Sequence, residues 1–278
     1  MTSQTIIFLH IPKTAGSSLA RILKSNYVFW KRNRVFVADA TRKDADLIDF
    51  NAVQKRNIRL VHGHINYGVH RHFEQPCVYI TFLRDPVKRL VSYYNHAWAE
   101  PDHYLHEAVR KQQMPLNDFF QSDLSSELDN LQVRMLAGME KQVPLNQLTE
   151  DHLEMAWQHI QDHFAVAGTA EHFDESILLM RQALNWSFFP LYVPAMVRKR
   201  PHILPSDVAD ETKQMIINRN HLDAELCRRV RDRLIKQIDE AGPGFQRSVE
   251  RYRRWNPRYA AVMKHLPMYQ KDHLRTRQ

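Results

Sequence analysis

Lys13 lies in a loop of small hydroxyl residues that directly follows an apolar run. Residues 7–18 read IFLHIPKTAGSS, so Gly16 and two serines come just after the lysine. Between a strand and a helix N-terminus, such a loop offers backbone N–H groups and the positive end of the helix dipole to an anion. It is not a Walker A motif, in which the lysine follows the second glycine. The stretch predicts an anion site, and an ordinary strand-to-helix turn is the alternative.

A second candidate anion site is the stretch FLRDPVKRLVSYY, residues 82–94. Arg84 stands at the end of an apolar run, and Ser92 lies two turns into a helix that Asp85 and Pro86 open. Ligands of open α/β sheets bind just outside the carboxyl ends of the strands. A guanidinium and a hydroxyl in these positions are suited to one phosphate group. The alternative is a surface arginine beside a helical serine.

A pair of histidines between these two stretches has a spacing suited to acid–base chemistry. In LVHGHINYGVH, residues 60–70, His62 and His64 are two apart, and on an extended strand they share a face. Imidazole titrates near neutral pH, so one of the pair is a candidate for taking a proton from a hydroxyl. Two alternatives stay open. One is zinc binding together with His70 and His72, which lacks a familiar ligand spacing, and the other is local hydrogen bonding.

Apolar runs that alternate with helical patterns must position these residues. The strand-like runs cover 5–10, 57–64, 77–86 and 164–169. This alternation predicts an α/β fold, with a P-loop-like, mainly parallel sheet flanked by helices and a helix-rich C-terminal part. Because no linker rich in Pro, Gly or Ser divides the chain, we expect one domain over 1–242. A basic C-terminal extension over 243–278 is expected to pack on that domain or to trail from it.

Charge and cysteine usage narrow the class of protein. Of the net charge of +8 over 278 residues, +7 lies in residues 241–278, which hold nine Lys and Arg against two acids. The rest of the chain is therefore close to neutral. Only Cys77 and Cys227 are present, which disfavours a disulfide framework. No apolar stretch reaches the length of a membrane span and the first strand leaves no room for a signal peptide, so we expect a cytoplasmic protein.

Taken together, HIPKTAGSS and LRDPVKRLVSYY resemble the two cofactor-binding motifs of the carbohydrate sulfotransferases, close to the heparan sulfate 2-O-sulfotransferase group. The resemblance extends to residues 164–186 and 220–230, so it covers most of residues 5–240. It implies an enzyme that moves the sulfuryl group of PAPS (3′-phosphoadenosine 5′-phosphosulfate) to a hydroxyl of a carbohydrate or glycoconjugate. Such an enzyme needs no metal, because sulfate carries less charge than phosphate and lysine and arginine suffice.

The resemblance also implies roles for individual residues. The residues expected to hold the 5′-phosphosulfate of PAPS are Lys13, Thr14, Ala15, Gly16, Ser17 and Ser18. Lys13 would also stabilise the charge that grows on the leaving oxygen. Arg84 and Ser92 would hold the 3′-phosphate. The family carries a His-Gly-His as its catalytic histidines, so His64 is the first choice for the general base and His62 for an orienting residue or second base.

Two other functions remain as alternatives. A P-loop-like small-molecule kinase using ATP would need a lysine after the glycine and an acidic strand end for Mg²⁺. A nucleic-acid-binding protein led by the basic tail would need a recognition motif, and the chain shows none. We therefore expect no nucleic-acid partner. Two further segments have open roles: the polar residues of 130–134 could face the acceptor or bridge helices, and the basic loop 197–201 could close over the cofactor or be a solvated turn.

The basic extension carries an apolar stripe whose role is also open. Its members recur at three- and four-residue steps and are Phe245, Val249, Tyr252, Tyr259, Val262 and Leu266. The stripe could pack on the body, with its arginines solvated. Alternatively, the basic face contacts an acidic acceptor chain or a membrane surface. Pro257 is expected to break or kink the helix near Asn256.

Overall fold

A five-stranded parallel sheet forms the centre of the molecule in the computed structural model, which describes residues 4–27, 34–38, 52–140, 142–194 and 202–265. The strands are β1 (Thr5–Leu9), β2 (Arg34–Ala38), β3 (Ile58–Gly63), β4 (Cys77–Leu83) and β5 (Phe164–Thr169). Their order in the sheet is β2-β3-β1-β4-β5, and every pairing is parallel. This confirms the predicted α/β class. β2 was not predicted, because its five residues follow a run of charged ones.

Helices cover both faces of the sheet and make up most of the chain after β5. They are α1 (Gly16–Tyr27), α2 (Ala52–Arg56), α3 (Pro86–Ala99), α4 (Leu116–Gln121), α5 (Leu131–Ala137), α6 (Glu150–His163), α7 (Phe173–Ala183), α8 (Asp210–Arg219), α9 (His221–Glu240) and α10 (Gly242–Met263). The predicted N-terminus of α3 is confirmed, since Asp85 Oδ1 accepts a hydrogen bond from Lys88 N–H at 2.9 Å and Pro86 opens the helix. No helix within the described ranges has the length and apolar character that crossing a membrane requires.

The apolar strands supply both faces of the core, because a parallel sheet is covered on each side. In β1, Ile7 and Leu9 join the cluster formed with α5, α6 and α9, whereas Ile6 and Phe8 join the cluster formed with α1, α7 and α10. A third cluster packs α3 against α4 and α8. The alternation of strand side chains between the two faces explains why β1 is buried along its whole length.

Sheet order decides where the site can form. β1 lies between β3 and β4, and Leu9 at its carboxyl end is in register with Gly63 on one side and Thr81 on the other. The segments that follow these three strands therefore emerge side by side at one edge of the sheet. The lysine loop, His64 and Arg84 occupy these segments. The strand order thus brings together the three stretches that the sequence singled out.

The C-terminal helix α10 contributes to the core with its first half. Phe245, Val249 and Tyr252 are buried in the cluster on the α1 and α7 side of the sheet, whereas Val262 is 70% exposed. The stripe is therefore core only as far as Asn256. The helix continues through Pro257 to Met263, so of the expected break or kink, a break is excluded. A proline inside a helix removes one backbone hydrogen bond, and the residues of α10 that are buried all precede Pro257.

Candidate active site

A cavity of about 820 Å³ opens at the carboxyl ends of the strands. Its strand-end wall consists of lining residues in the segments after β1, β3, β4 and β5: His10, Pro12, Lys13, Ala15, Gly16, Ser17, Ser18, His64, Arg84, Lys88, Ser92, Ala170, Glu171 and Phe173. Its helix-supported wall consists of Leu131 and Met135 on α5, Glu127 in the turn before α5, and Tyr192 and Pro194 in a segment that α10 and α1 hold by hydrogen bonds. Site residues predicted from each of the three stretches thus line one cavity, with Thr14 and His62 as exceptions.

The lysine loop has an unusual backbone. Lys13 and Ala15 both have φ of 68°, a left-handed conformation that non-glycine residues adopt rarely. Between them, Thr14 is fully buried and its hydroxyl donates to Ile11 C=O at 2.8 Å. That bond holds the loop to the segment directly after β1. The Thr14 side chain therefore shapes the loop and does not line the cavity, unlike Lys13 and Ala15.

Gly16, where α1 begins, could not be replaced by a larger residue without displacing a neighbour. A Cβ atom there would lie 2.1 Å from a carbon of the His10 ring. Ser17 and Ser18 follow in the first turn of α1, and all three residues line the cavity. Since the N–H groups of a first turn lack acceptors within the helix, this helix end suits an anion. The glycine lets the His10 ring pack directly against it.

Arg84 connects the second stretch to the first. Its Nη1 donates to Lys13 C=O at 3.1 Å. Its backbone is held by the Gln132 side chain, which accepts from Arg84 N–H at 2.9 Å and donates to Arg84 C=O at 3.0 Å. The Cys227 thiol also donates to that carbonyl, at 3.1 Å. Gln132 and Cys227 therefore fix the Arg84 backbone just after β4, and the guanidinium is bonded to the lysine loop.

Further cationic and hydroxyl groups stand beside Arg84 on α3. Lys88 and Ser92 both line the cavity, and Lys88 Nζ lies 3.4 Å from the carboxylate of Glu171, which follows β5. Burial lowers the pKa of Arg84, and the nearby carboxylates of Glu171 and Asp85 oppose that shift. An arginine stays protonated in proteins. This part of the strand-end wall therefore presents a fixed positive charge with a hydroxyl two helical turns away.

His64 is oriented by a backbone hydrogen bond. Its Nδ1 lies 2.8 Å from the carbonyl oxygen of His10, and the two rings are tilted with centroids 4.6 Å apart. Because a carbonyl can only accept, Nδ1 carries the proton and Nε2 holds the lone pair. The side chain is open to the cavity, yet the surrounding protein limits its hydration, and this desolvation lowers its pKa. Lys13 adds to that lowering, whereas the His10 carbonyl and Glu140 oppose it. His64 is therefore neutral and basic at Nε2 near neutral pH.

His62 is buried, whereas His64 is exposed to the cavity. His62 is 5% exposed and in register with Phe8 of β1, and it is not among the described residues that line the cavity. Because β3 ends at Gly63, the strand alternation behind the expected shared face does not extend to His64. His70 bonds instead to the Tyr79 hydroxyl, at 3.0 Å. Among the described residues, no group of three His, Cys, Asp or Glu is arranged to hold a metal ion.

The structure adds lining residues that sequence reasoning missed. They are Tyr93, His96, His103, Glu127 and Glu140. Burial raises the pKa of Glu127 to about 7, although Arg89 and Lys13 oppose the shift. Glu127 Oε2 lies 3.9 Å from Nη1 of the buried Arg89. The segment SSELDN around Glu127 carries no pattern that distinguishes it from a surface turn, so only the tertiary structure reveals its place.

The polar residues of 130–134 bridge helices and do not line the cavity. Asn130, in a left-handed conformation before α5, donates to Arg219 C=O at 3.0 Å, and its Oδ1 accepts from Asp223 N–H at 3.1 Å. Arg134 pairs with Asp129 and donates to Val143 C=O at 2.6 Å. Leu131 and Met135 are the α5 residues that face the cavity. The basic loop 197–201 lies outside the described residues.

Comparisons with known proteins agree with this geometry. A family model described as "Sulfotransferase family" matches residues 2–226. A similar curated protein is heparan sulfate 2-O-sulfotransferase 1 of Gallus gallus, which is 26% identical over 198 residues. The match covers 64% of this chain and 54% of the relative, so the chain spans about half the length of that protein.

Proposed function

The chain belongs to the sulfotransferase family, and we propose that it moves the sulfuryl group of PAPS to a hydroxyl of a carbohydrate or glycoconjugate, with His64 as general base. The observation that carries the proposal is that Lys13, His64 and Arg84 line one cavity although they follow three different strands. The carbohydrate acceptor is suggested by the relative, whose name specifies heparan sulfate. Family membership favours sulfuryl transfer over the phosphoryl transfer of a kinase.

The strand-end wall suits a donor that carries phosphate groups on the 5′ and 3′ positions of its ribose. The first turn of α1, with Ser17 and Ser18, fits the 5′-phosphosulfate, because N–H groups, hydroxyls and the helix dipole all favour an anion. Arg84 and Ser92 fit the 3′-phosphate, the group that distinguishes PAPS from ATP. The Thr14 hydroxyl is committed to Ile11 C=O, so we assign Thr14 a backbone contribution only. This charge pattern requires no metal ion.

His64 has the tautomer and the pKa that a base needs. With Nδ1–H bonded to the His10 carbonyl, Nε2 is free to take a proton from the acceptor hydroxyl. A lowered pKa keeps the ring neutral at physiological pH. His62 is buried beside β1, so we assign it a positioning role in β3 and no direct contact with the acceptor.

Lys13 stabilises the charge that develops when the donor bond breaks. The acceptor oxygen bonds to sulfur as its proton passes to His64, and the electron pair of the broken S–O bond stays on the leaving phosphate. A cation held beside that oxygen lowers the barrier more than it favours the ground state. The left-handed backbone of Lys13 and the Arg84 bond to its carbonyl hold the residue in place.

Binding and turnover test the proposal directly. Calorimetry should show binding of PAP, the desulfated product, in the presence of EDTA and more tightly than ATP. Incubation with ³⁵S-labelled PAPS and a set of oligosaccharides should then label an acceptor. Loss of PAP binding on chelation, or preferential binding of ATP or an oligonucleotide, would overturn the proposal.

The exposed face of α10 provides a candidate contact for an acidic acceptor chain. Arg254 and Arg258 are exposed there, and the Arg258 guanidinium lies 5.6 Å from the centre of the half-exposed Trp255 ring. Positive charge beside an aromatic surface suits an anionic polymer. Arg254→Glu with Arg258→Glu should raise the acceptor KM and leave PAP affinity unchanged. An unchanged acceptor KM with lost binding to anionic liposomes would assign this face to a membrane, and cell fractionation would test the expected cytoplasmic location.

A further inference from the structure

An irregular segment forms part of the cavity wall. Residues 184–194 contain no helix or strand, yet Tyr192 and Pro194 line the cavity. The Tyr192 ring lies 5.1 Å from the ring of Phe173, another lining residue. Within it, Leu191 N–H donates to Phe189 C=O at 2.8 Å. An irregular segment keeps one conformation only where other elements satisfy its remaining backbone groups. The source of that support determines the shape of the wall.

Two side chains of α10 support the backbone of residues 184–194. Asn256 Oδ1 accepts a hydrogen bond from Tyr192 N–H at 2.8 Å, and the Tyr252 hydroxyl donates to Pro190 C=O at 2.8 Å. Both side chains are buried, at 8% and 0% exposure. Burial raises the pKa of Tyr252 above its ordinary value, so its hydroxyl keeps its proton. The two bonds hold the backbone on either side of Leu191.

The helix is itself fixed to the body near this wall. Arg253 Nη2 lies 2.7 Å from Glu175 and its Nε 3.5 Å from Asp174, both in the first turn of α7 directly after Phe173. The Tyr252 ring meets the Phe189 ring edge to face at 5.5 Å. On the other side of the segment, Arg21 of α1 donates to Val193 C=O at 3.3 Å. The segment is therefore held between α10 and the helix that begins at the lysine loop.

We propose that α10 is part of the PAPS-binding machinery, with Asn256 and Tyr252 as positioning residues that hold the wall at Tyr192 and Pro194 against the bound nucleotide. The inference rests on the proposed function. The match to the sulfotransferase family ends at residue 226, before α10 begins at Gly242. Helix α10 thus lies beyond the region that the family match covers. It acts on the wall through hydrogen bonds between residues more than 60 positions apart in the sequence.

The measured affinity for PAP tests the proposal. If α10 only stabilised the fold, substitutions in it would leave the PAP affinity of the folded protein unchanged. Loss of one buried hydrogen bond costs about 0.5–1.5 kcal/mol, so Asn256→Ala and Tyr252→Phe should each raise the Kd for PAP by about 2- to 12-fold. The KM for PAPS should rise in parallel, with kcat little changed. Asn256→Asp retains an acceptor for Tyr192 N–H and should restore most of the affinity.

Val249→Ala is the matched control, since Val249 is buried in the same helix without contacting the wall by a hydrogen bond. It should lower the melting temperature and leave the Kd for PAP unchanged below the transition. If Asn256→Ala fails to fold, Tyr252→Phe, which removes one oxygen atom, still decides the matter. Wild-type affinity in Tyr252→Phe and in any folded Asn256→Ala would overturn the inference. Absence of PAP binding to the wild-type protein would instead overturn the proposed function.

Discussion

The two walls of the cavity are built on different principles. The strand-end wall follows from sheet order, because neighbouring parallel strands deliver the lysine loop, His64 and Arg84 to one edge. The helix-supported wall depends on single side-chain bonds between distant parts of the chain, such as Asn256 to Tyr192. The residues that we propose for the chemistry thus directly follow strands whose backbones are fixed by many sheet hydrogen bonds. The wall that shapes the cavity is held by few contacts, so single substitutions should affect it more selectively.

The largest expected effect is on the chemical step at the strand-end wall. His64→Ala should reduce kcat by about 100- to 10,000-fold, the usual contribution of a general base, and should leave the Kd for PAP unchanged. Steady-state kinetics with labelled PAPS and calorimetry with PAP measure the two quantities. His72→Ala is the control, because His72 does not line the cavity. Wild-type turnover in His64→Ala would remove His64 from the mechanism.

A smaller loss is expected where we propose that the strand-end wall binds phosphate. Arg84→Ala should weaken PAP binding by about 1.5–3 kcal/mol, the usual value of a hydrogen bond to a charged group. Part of this loss comes from release of the Lys13 carbonyl that Arg84 holds, so kcat should also fall. Arg247→Ala changes the same charge on the exposed part of α10 and should have no effect. Equal PAP affinity in both variants would contradict the assignment.

Gln132 links the two walls, because it lies on α5 of the helix-supported wall and its side chain bonds to Arg84 of the strand-end wall. Gln132→Met keeps the volume but leaves Arg84 N–H without its acceptor, which should lower the free energy of unfolding by about 1–3 kcal/mol. The affinity for PAP should fall as well, because Arg84 loses its support. Denaturant unfolding and calorimetry measure both. Gln158→Met, on the exposed face of α6, is the control and should change neither quantity. A Gln132→Met variant with wild-type stability and full PAP affinity would show that the two walls are independent.

The smallest effect is on the pH profile. Since the folded-state pKa of His64 is lowered below its ordinary value, kcat/KM should stay level as pH falls to about 6.5. Below its lowered pKa, kcat/KM should drop by up to about tenfold per pH unit, as the ring takes a proton and loses the lone pair. Glu127, whose pKa is about 7, faces the same cavity, so Glu127→Gln separates its titration from that of His64. A profile that still falls at low pH in Glu127→Gln agrees with His64, and a flat one contradicts it.

Sequence patterns predicted the strand-end wall better than the helix-supported wall. The run at 164–169 matches β5 to the residue, and Asp85 caps α3 as expected, because both depend on local apolar runs and capping chemistry. Near the helix-supported wall, Asn130 in a left-handed conformation separates α5 from the turn before it. That conformation is stabilised by bonds to residues 219–223, about 90 positions away, which no local pattern encodes.

The sequence by itself determined the α/β class and singled out the two candidate anion-binding stretches and the histidine pair, because strand runs, helix caps and residue spacing are local properties of the chain. Only the tertiary structure decided which residues of those stretches face the cavity. It placed His64 there and buried His62, committed the Thr14 hydroxyl to Ile11, and brought Glu127 and Tyr192 to the cavity. These outcomes depend on where each strand ends and on hydrogen bonds between distant segments, which form only when the sheet and helices are packed together.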